Sequence, residues 1–317
     1  MTAPTNNKVY LYFVMIIGAF IGHTIWLNCV AEDAFITFRF AKNLAQGHGI
    51  LWNIGEAPVE GYTNFLWLVI SAFILKLGIK IEIASQVLGV LVSIGSLFYT
   101  YRFGHKLLDI KPQHALIACL FLAFSGPFAT WATSGMDTNF FGFLVLAGCF
   151  HFTSYWKHGS RSDIFISSAA LLLATLTRPE GFMIFFILLG LNFVLCLGRD
   201  KKPVMTVILS VLIYAIPFLV YFLLRYNYFG FPLPNTFYAK VGSSVFQYIR
   251  GAIYAGYFIL HFILPFNLIL FLLAWQKGIS IRCGRFGFQD AVTQLHKHLG
   301  VYVCLIISLT YTAYIVY

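Results

Sequence analysis

Carboxylate side chains lie at the ends of long apolar stretches at three places in this sequence. Glu32 and Asp33 follow the first apolar run, and Asp137 and Glu180 each precede a later one. A carboxylate near a membrane boundary is costly unless it is solvated, paired or used. It can act as a general base toward a hydroxyl, or it can stabilise the start of a helix by complementing the helix dipole. For Glu32 and Asp33, spacing alone leaves both interpretations open.

Two arginines accompany these acids. Arg39 follows Glu32 and Asp33 within the same segment, and we expect it to pair with one of the acids of its loop. Arg178 lies in Thr-Arg-Pro-Glu-Gly, two residues before Glu180. Proline at the first helical position followed by glutamate is also an ordinary helix start, so this segment by itself has a structural explanation.

The composition determines the class of protein. Of 317 residues, 60% are hydrophobic and 10% are charged, and the mean hydropathy is +0.82. Soluble proteins contain about 25% charged residues, and a water-soluble core could not absorb so much apolar surface. A soluble enzyme, a disordered tail and a secreted disulfide scaffold are therefore excluded. The six cysteines include no C-x-x-C pair, and the net charge of +10 is explained by loop anchoring rather than by nucleic acid binding.

The apolar runs predict an all-α, polytopic membrane helix bundle. Ten runs approach the length of about 20 residues that a span needs: 9–30, 63–79, 83–101, 114–132, 138–156, 164–177, 181–198, 203–224, 257–275 and 299–317. Basic residues concentrate in cytoplasmic loops. Loops 102–113, 157–163, 199–202 and 276–298 contain 12 of the 21 Lys and Arg residues, and they all lie inside only if 63–79 does not cross.

This arrangement predicts about nine transmembrane helices, a cytoplasmic N-terminus and one transmembrane domain over 1–317 without a soluble domain. The first run, which lacks a cleavage site, is expected to be a retained anchor. The last run ends at Tyr317 without a flanking loop, so we expect either a fragment or a short family member. Seven of the eleven acids fall on the outer face, which predicts a polar site there.

The first outer loop, 31–82, contains juxtamembrane helices in this prediction. Residues 32–46 have the pattern of an amphipathic helix at the membrane interface. Its predicted apolar face holds Phe35, Ile36, Phe40 and Leu44, and its polar face holds Arg39, Lys42 and Gln46.

This loop resembles a D-D-A-Y-I-[ST]-F-R-Y-A-x-N-L pattern that continues to E-G-Y-T-N-x-L-W. The pattern belongs to a bacterial branch of the GT-C glycosyltransferases, which includes mycobacterial terminal arabinofuranosyltransferases. Here it runs from Glu32-Asp33-Ala34 through Asn53, Gly55 and Glu56 to Glu60-Gly61-Tyr62-Thr63-Asn64 and Leu66-Trp67. Glu32 replaces the first Asp. Three further segments are similar to the same family: Ser134–Thr138, Thr177–Gly181 and Pro232–Lys240.

The resemblance implies an enzyme that transfers a sugar from a polyprenyl-phosphate donor to a glycan or lipid acceptor of the cell envelope. Asp33, with Glu32 as its rival, would accept the proton of the acceptor hydroxyl. Arg178, Lys240 and Arg39 would neutralise the donor phosphate. Asp137, Glu180, Glu60 and Asn64 would orient the acceptor or pair with these cations. The resemblance also implies the bacterial cytoplasmic membrane, with the active face extracytoplasmic.

The alternative is a non-catalytic transporter or flippase for a lipid-linked sugar, or an envelope assembly factor. A transporter is expected to show internally repeated halves, and none is visible. The sequence contains no Walker A run, G-x-G-x-x-G, H-E-x-x-H or metal-spaced His/Cys set, so no cofactor or metal site is assigned. The hypothesis leaves room for a divalent cation that the sequence does not itself indicate. No nucleic acid partner is expected.

Overall fold

The apolar runs that the structure describes form helices. The structure is a computed structural model that describes residues 6–197, 204–240, 245–258, 260, 295 and 297–316. No strand occurs among these residues. The chain divides into two units, Met1–Tyr238 and Ala239–Tyr317. The predicted loop 199–202 and almost all of 257–298 lie outside the described residues.

The helices of the first unit begin at Asn6 and extend to the boundary with the second. They are α1 (Asn6–Trp26), α2 (Ala34–Ala45), α3 (Phe65–Lys76), α4 (Ile81–Arg102), α5 (Pro112–Ala123), α6 (Gly126–Thr133), α7 (Thr138–His158), α8 (Arg161–Thr177), α9 (Glu180–Leu197), α10 (Val204–Phe229) and α11 (Asn235–Lys240). A π-helical turn, Phe103–Leu107, continues α4. The second unit contains α12 (Val245–Phe258) and α13 (Leu299–Val316), which pack against each other.

Four described helices are long and apolar enough to cross a membrane, and a bent pair would make a fifth. They are α1, α4 with its π-helical turn, α9 and α10, and the bent pair is α5 with α6. This agrees with a helical membrane protein. By length and composition, the described residues therefore provide four or five candidate spans, fewer than the nine predicted.

The hairpin of α7 and α8 is not among these candidate spans. These two helices have the most extensive contact in the bundle, and their buried faces contain polar side chains such as Thr153, Ser154 and Ser168. Ser167 Oγ, for example, donates a hydrogen bond to the Gly148 carbonyl at 2.8 Å. Polar side chains on these faces lower the hydropathy of both helices, and α8, with 17 residues, is also short for a span.

The predicted run 114–132 forms two helices rather than one. The axes of α5 and α6 are bent by 63° at a short break, and Pro127 lies in the first turn of α6. Proline is favoured at a helix start and disfavoured inside a helix, so it separates the two. The broken segment lies against α4, where a Cβ on Gly89 would be 2.2 Å from the Ala132 carbonyl oxygen.

Helix α3, which covers most of the run 63–79 that is predicted not to cross, is a short helix. Its twelve residues extend about 18 Å, well short of the roughly 30 Å hydrocarbon core. Near its end, Ile74 and Leu75 pack against a cluster formed by Ala34, Phe38 and Ile81. The start of α4 therefore lies beside α2, at the same end of the bundle as the start of α3.

Candidate functional site

Segments that are far apart in sequence meet at one end of the first unit. We call this end, formed by residues 31–64, 134–138, 177–180 and 225–235, the motif end. The Ala31 N–H donates to the Ser134 carbonyl at 2.9 Å, and Trp67 Nε1 donates to the Gly135 carbonyl at 3.0 Å. Gly135 has a φ of +77°, and a Cβ there would be 3.2 Å from the Ala34 Cβ. Glycine is required because both the conformation and the close approach exclude a side chain.

Asp137 is the centre of a buried polar network. Its side chain is 2% exposed and accepts a hydrogen bond from Arg178 Nε at 2.5 Å. Asn64 Nδ2 donates to Asp137 Oδ1 at 3.3 Å and to the Thr37 hydroxyl at 3.0 Å. Arg178 Nη2 also donates to the Thr138 hydroxyl at 3.0 Å. The network joins α2, the start of α3, the start of α7 and the end of α8.

A second buried ion pair ties the first loop to the end of α10. Arg225 Nε donates to Glu60 Oε1 at 2.9 Å, and Arg225 Nη2 donates to Glu60 Oε2. Arg225 Nη1 donates to the carbonyls of Phe231 and Pro232, at 3.3 and 2.8 Å. The Asn235 N–H donates to the Glu60 carbonyl at 3.2 Å. The segment after α10 is thereby fixed to the first loop.

Tyr62 lies beside this pair and is itself buried. Its ring contacts those of Phe40 and Phe229, with centroids 5.2 and 6.3 Å apart. Burial raises the pKa of the Tyr62 hydroxyl, and the charge of the Glu60 carboxylate raises it further. Tyr62 therefore remains neutral and serves as an aromatic contact between the loop and α10.

Glu32 and Asp33 are exposed immediately before α2. Asp33 occupies the N-cap position with helical backbone angles, and its side chain makes no capping hydrogen bond. Asp33 therefore does not cap α2 through a side-chain hydrogen bond. The next residue, Ala34, packs against Gly135, so both carboxylates stand at the rim of the Asp137 network.

The prediction that Arg39 pairs directly with an acid is wrong. Arg39 Nε donates to the Trp52 carbonyl at 2.9 Å, and Nη2 donates to Asn53 Oδ1 at 2.6 Å. The guanidinium also lies over the Trp52 ring, 4.2 Å from its centroid. Asn53 in turn donates to Glu56, so an amide stands between the cation and the acid. On the predicted apolar face of α2, Phe40 is buried, whereas Phe35 and Ile36 are exposed at the surface of the protein.

Two predicted site residues remain, Glu180 and Lys240. Glu180 begins α9, and its Oε2 atom is buried without a hydrogen-bond partner among the residues that the structure describes. Lys240 is the last residue of α11, and its side chain lies outside the described part of the chain. The structure thus brings Asn64, Asp137 and Arg178 into one network and places Glu60 in a separate ion pair.

Sequence reasoning missed Arg225. The predicted run 203–224 ends immediately before it. An arginine next to a long apolar run is rarely left unpaired, and this rule could have indicated that Arg225 has a partner. Its partner, Glu60, is 165 residues away, and no spacing rule connects them.

A cavity of about 440 Å³ adjoins the Glu60–Arg225 pair. Its lining is mostly apolar and comes from the first loop and from the segment that follows α10: Pro58, Val59, Glu60, Phe229, Phe231, Leu233, Asn235 and Tyr238.

A different polar cluster joins α4, α7 and α8 at the ends opposite the motif end. Tyr99 Oη and His151 Nε2 are 3.0 Å apart, and His151 Nδ1 is 2.7 Å from Asp163. Ser154 donates to the same carboxylate at 2.6 Å. Lys157 donates to Asp109 at 2.7 Å. These contacts hold the ends of three helices together.

Nothing in the described ranges resembles a metal centre: they contain no group of three or more His, Cys, Asp or Glu side chains placed to hold an ion. No family model, curated protein or solved structure matches this chain. Its function is therefore inferred from the motif end itself.

Proposed function

We propose that this protein is a GT-C-type membrane glycosyltransferase that transfers a sugar from a polyprenyl-phosphate donor to a cell-envelope acceptor. The supporting observation is the assembly of the motif end. The four segments that resemble the GT-C branch are scattered over residues 32–240, yet they contact one another through Ala31–Ser134, Asn64–Asp137, Asp137–Arg178 and Glu60–Asn235.

In the proposed reaction, the acceptor hydroxyl attacks the anomeric carbon of the donor sugar. Its proton passes to Asp33, or to Glu32, while a new carbon–oxygen bond forms. The bond between the anomeric carbon and the phosphate oxygen breaks, and polyprenyl phosphate leaves with the electron pair. An exposed carboxylate at the start of α2 suits the proton-accepting role, because an acceptor can reach it.

The leaving phosphate needs positive charge. Arg178 suits this role because a guanidinium binds phosphate oxygens well and its side chain is a quarter exposed. Asp137 holds it in position. Lys240 is the second proposed phosphate ligand. The first role of Arg39 is to stabilise its own loop. The acceptor side of the site is proposed to be shaped by Asn64, Glu60 and Glu180.

The proposed topology has nine spans. They are α1, α4, α5 with α6, α7, α8, α9, α10, the run 257–275 and α13, while α3 lies at the outer interface. In this topology the motif end is extracytoplasmic in the bacterial cytoplasmic membrane, since the basic loops then face the cytoplasm.

The experiment is sugar transfer from a panel of radiolabelled polyprenyl-phosphate sugars, using the full chain in membranes. Transfer to an envelope acceptor or a synthetic glycan by the wild-type chain, and its loss in Asp33→Asn, supports the proposal. If no donor supports transfer while the labelled lipid changes leaflet in a chain-dependent manner, the protein is a flippase and the proposal is wrong.

A further inference from the structure

The cavity beside Glu60 has walls suited to an apolar ligand. Phe229, Phe231 and Val59 all contribute to its lining. The rings of Phe231 and Tyr238 meet nearly edge to face, with centroids 6.3 Å apart. Cavities of this size that are lined by apolar and aromatic side chains are typical small-molecule sites.

The single charge in the lining is already neutralised. Both Glu60 carboxylate oxygens accept hydrogen bonds from Arg225, and the Glu60 carbonyl accepts one from the Asn235 N–H. An unpaired carboxylate would repel a hydrocarbon ligand, because burying it without a partner is costly. Arg225 removes that cost. A polar ligand gains little here, since Glu60 has few hydrogen-bonding positions left to offer.

The position of the cavity indicates the source of the ligand. Phe229 ends α10, whose 26 residues extend about 39 Å and expose apolar side chains along their length. Such a helix is long enough to cross the hydrocarbon core, so its end lies near the membrane surface. Lipid chains are the most abundant apolar groups at that level. Tyr238 is an amphipathic residue of the kind that lies at the head-group boundary.

We propose that this cavity binds the aliphatic chain of a membrane lipid, with the lipid head group beside Asn235 and Tyr238. The inference does not depend on sugar transfer. The same chain chemistry is supplied by a bulk phospholipid or by a polyprenyl phosphate, and the latter would deepen the function proposed above by locating the donor chain.

The test is photolabelling of the full chain in detergent micelles, in which the amount of each added lipid can be varied. One arm contains a trace of phospholipid with a diazirine in the middle of its acyl chain, and the other contains a diazirine-bearing polyprenyl phosphate. We expect saturable labelling of residues 58–60 or 229–238 in at least one arm, suppressed by excess unlabelled lipid of the same kind. Val59→Trp and Leu233→Trp fill the cavity and should weaken the competed labelling about tenfold, as expected when about two methylene groups lose their burial.

Ile54→Trp is the matched control, because Ile54 is an exposed residue of the same loop that does not line the cavity. It should label like the wild type. Saturable labelling in the phospholipid arm identifies a bound bilayer lipid, and saturable labelling in the polyprenyl arm alone identifies the donor chain. Labelling that does not saturate in either arm, or that persists unchanged in both tryptophan variants, overturns the proposal. The readout is labelling, so a chain without transferase activity still tests it.

Discussion

Single residues at the motif end fall into two groups. Asp137 and Glu60 are buried, and each is paired with an arginine. Glu32 and Asp33 are exposed. A proton acceptor must reach the hydroxyl that it deprotonates. Carboxylates committed to buried ion pairs instead fix the positions of the segments that bear them. The proposed function therefore assigns the chemical role to the exposed pair and the positioning role to the buried one.

The first prediction concerns the proton acceptor. Asp33→Asn keeps the shape of the side chain but cannot take a proton, so transfer should fall by roughly 10²–10⁴-fold. Glu32→Gln should reduce transfer less, and expression and donor binding should be nearly unchanged in both variants. Transfer of a radiolabelled sugar checks this. Loss of activity in Glu32→Gln alone would reverse the assignment, and normal activity in both would remove this loop from the chemistry.

The second prediction concerns the pair of Arg178 and Asp137. Arg178→Gln leaves a carboxylate that is 2% exposed without its cation. Breaking a buried ion pair costs about 3–5 kcal/mol, and the cost here should lie below that range because Arg178 is partly exposed. The double variant Asp137→Asn with Arg178→Gln should recover much of the lost stability, since no buried charge remains.

Thermal unfolding of the four chains in detergent, as a double-mutant cycle, measures this coupling. Arg250→Gln on α12 is the control, because Arg250 is exposed. If the effects of the two single substitutions simply add in the double variant, the pair makes no net contribution.

Among the elements, the break between α5 and α6 matters most for the site. The second half of this broken segment ends at Thr133, directly before the turn that contains Asp137. Its direction is set by Pro127 and by close contact with α4. A straight helix of the same length would deliver that turn elsewhere, so the break is part of how the site is assembled.

The third prediction tests that contact. Gly89→Ala places a Cβ 2.2 Å from the Ala132 carbonyl oxygen, a backbone atom that cannot move aside alone. Such overpacking typically costs about 1–3 kcal/mol, so the melting temperature should fall. Gly142→Ala, at a helical glycine with open space around its Cβ position, should instead gain about 0.5–1 kcal/mol. Equal melting temperatures for the two variants would contradict the close packing of α4 against α6.

At the level of the whole molecule, the open question is which end of the bundle faces outward. The motif end contains six of the seven acids predicted to be outside, and the opposite ends of α4, α7 and α8 contain Arg102, Lys157 and Arg161. The positive-inside rule predicts that the basic ends face the cytoplasm.

The fourth prediction follows from this orientation. With the native cysteines replaced by serine, Glu56→Cys should react with a membrane-impermeant maleimide added to intact cells. Lys106→Cys should react only after the cells are permeabilised. Both positions are exposed, so access rather than burial determines the result. Reaction at position 106 and protection at position 56 would invert the topology and remove the extracytoplasmic site.

The sequence by itself determined the class of this protein and the helical nature of its described residues. Composition excludes a water-soluble core. Apolar runs of about 20 residues predict helices, because a helix satisfies its own backbone hydrogen bonds in lipid. The basic loops predict that 63–79 does not cross the membrane, and the shortness of α3 is compatible with this prediction. These features depend on sums over many residues or on chain-local patterns, which a sequence displays directly.

The tertiary structure alone decided which charges meet. Glu60 pairs with Arg225 across 165 residues, and Asp137 pairs with Arg178 across 41. The prediction for Arg39 failed because a nearby carbonyl and amide were better placed than any acid. The bend between α5 and α6 was likewise invisible to hydropathy. Each of these outcomes depends on distances between separate helices, and such distances are fixed by packing rather than by the local sequence.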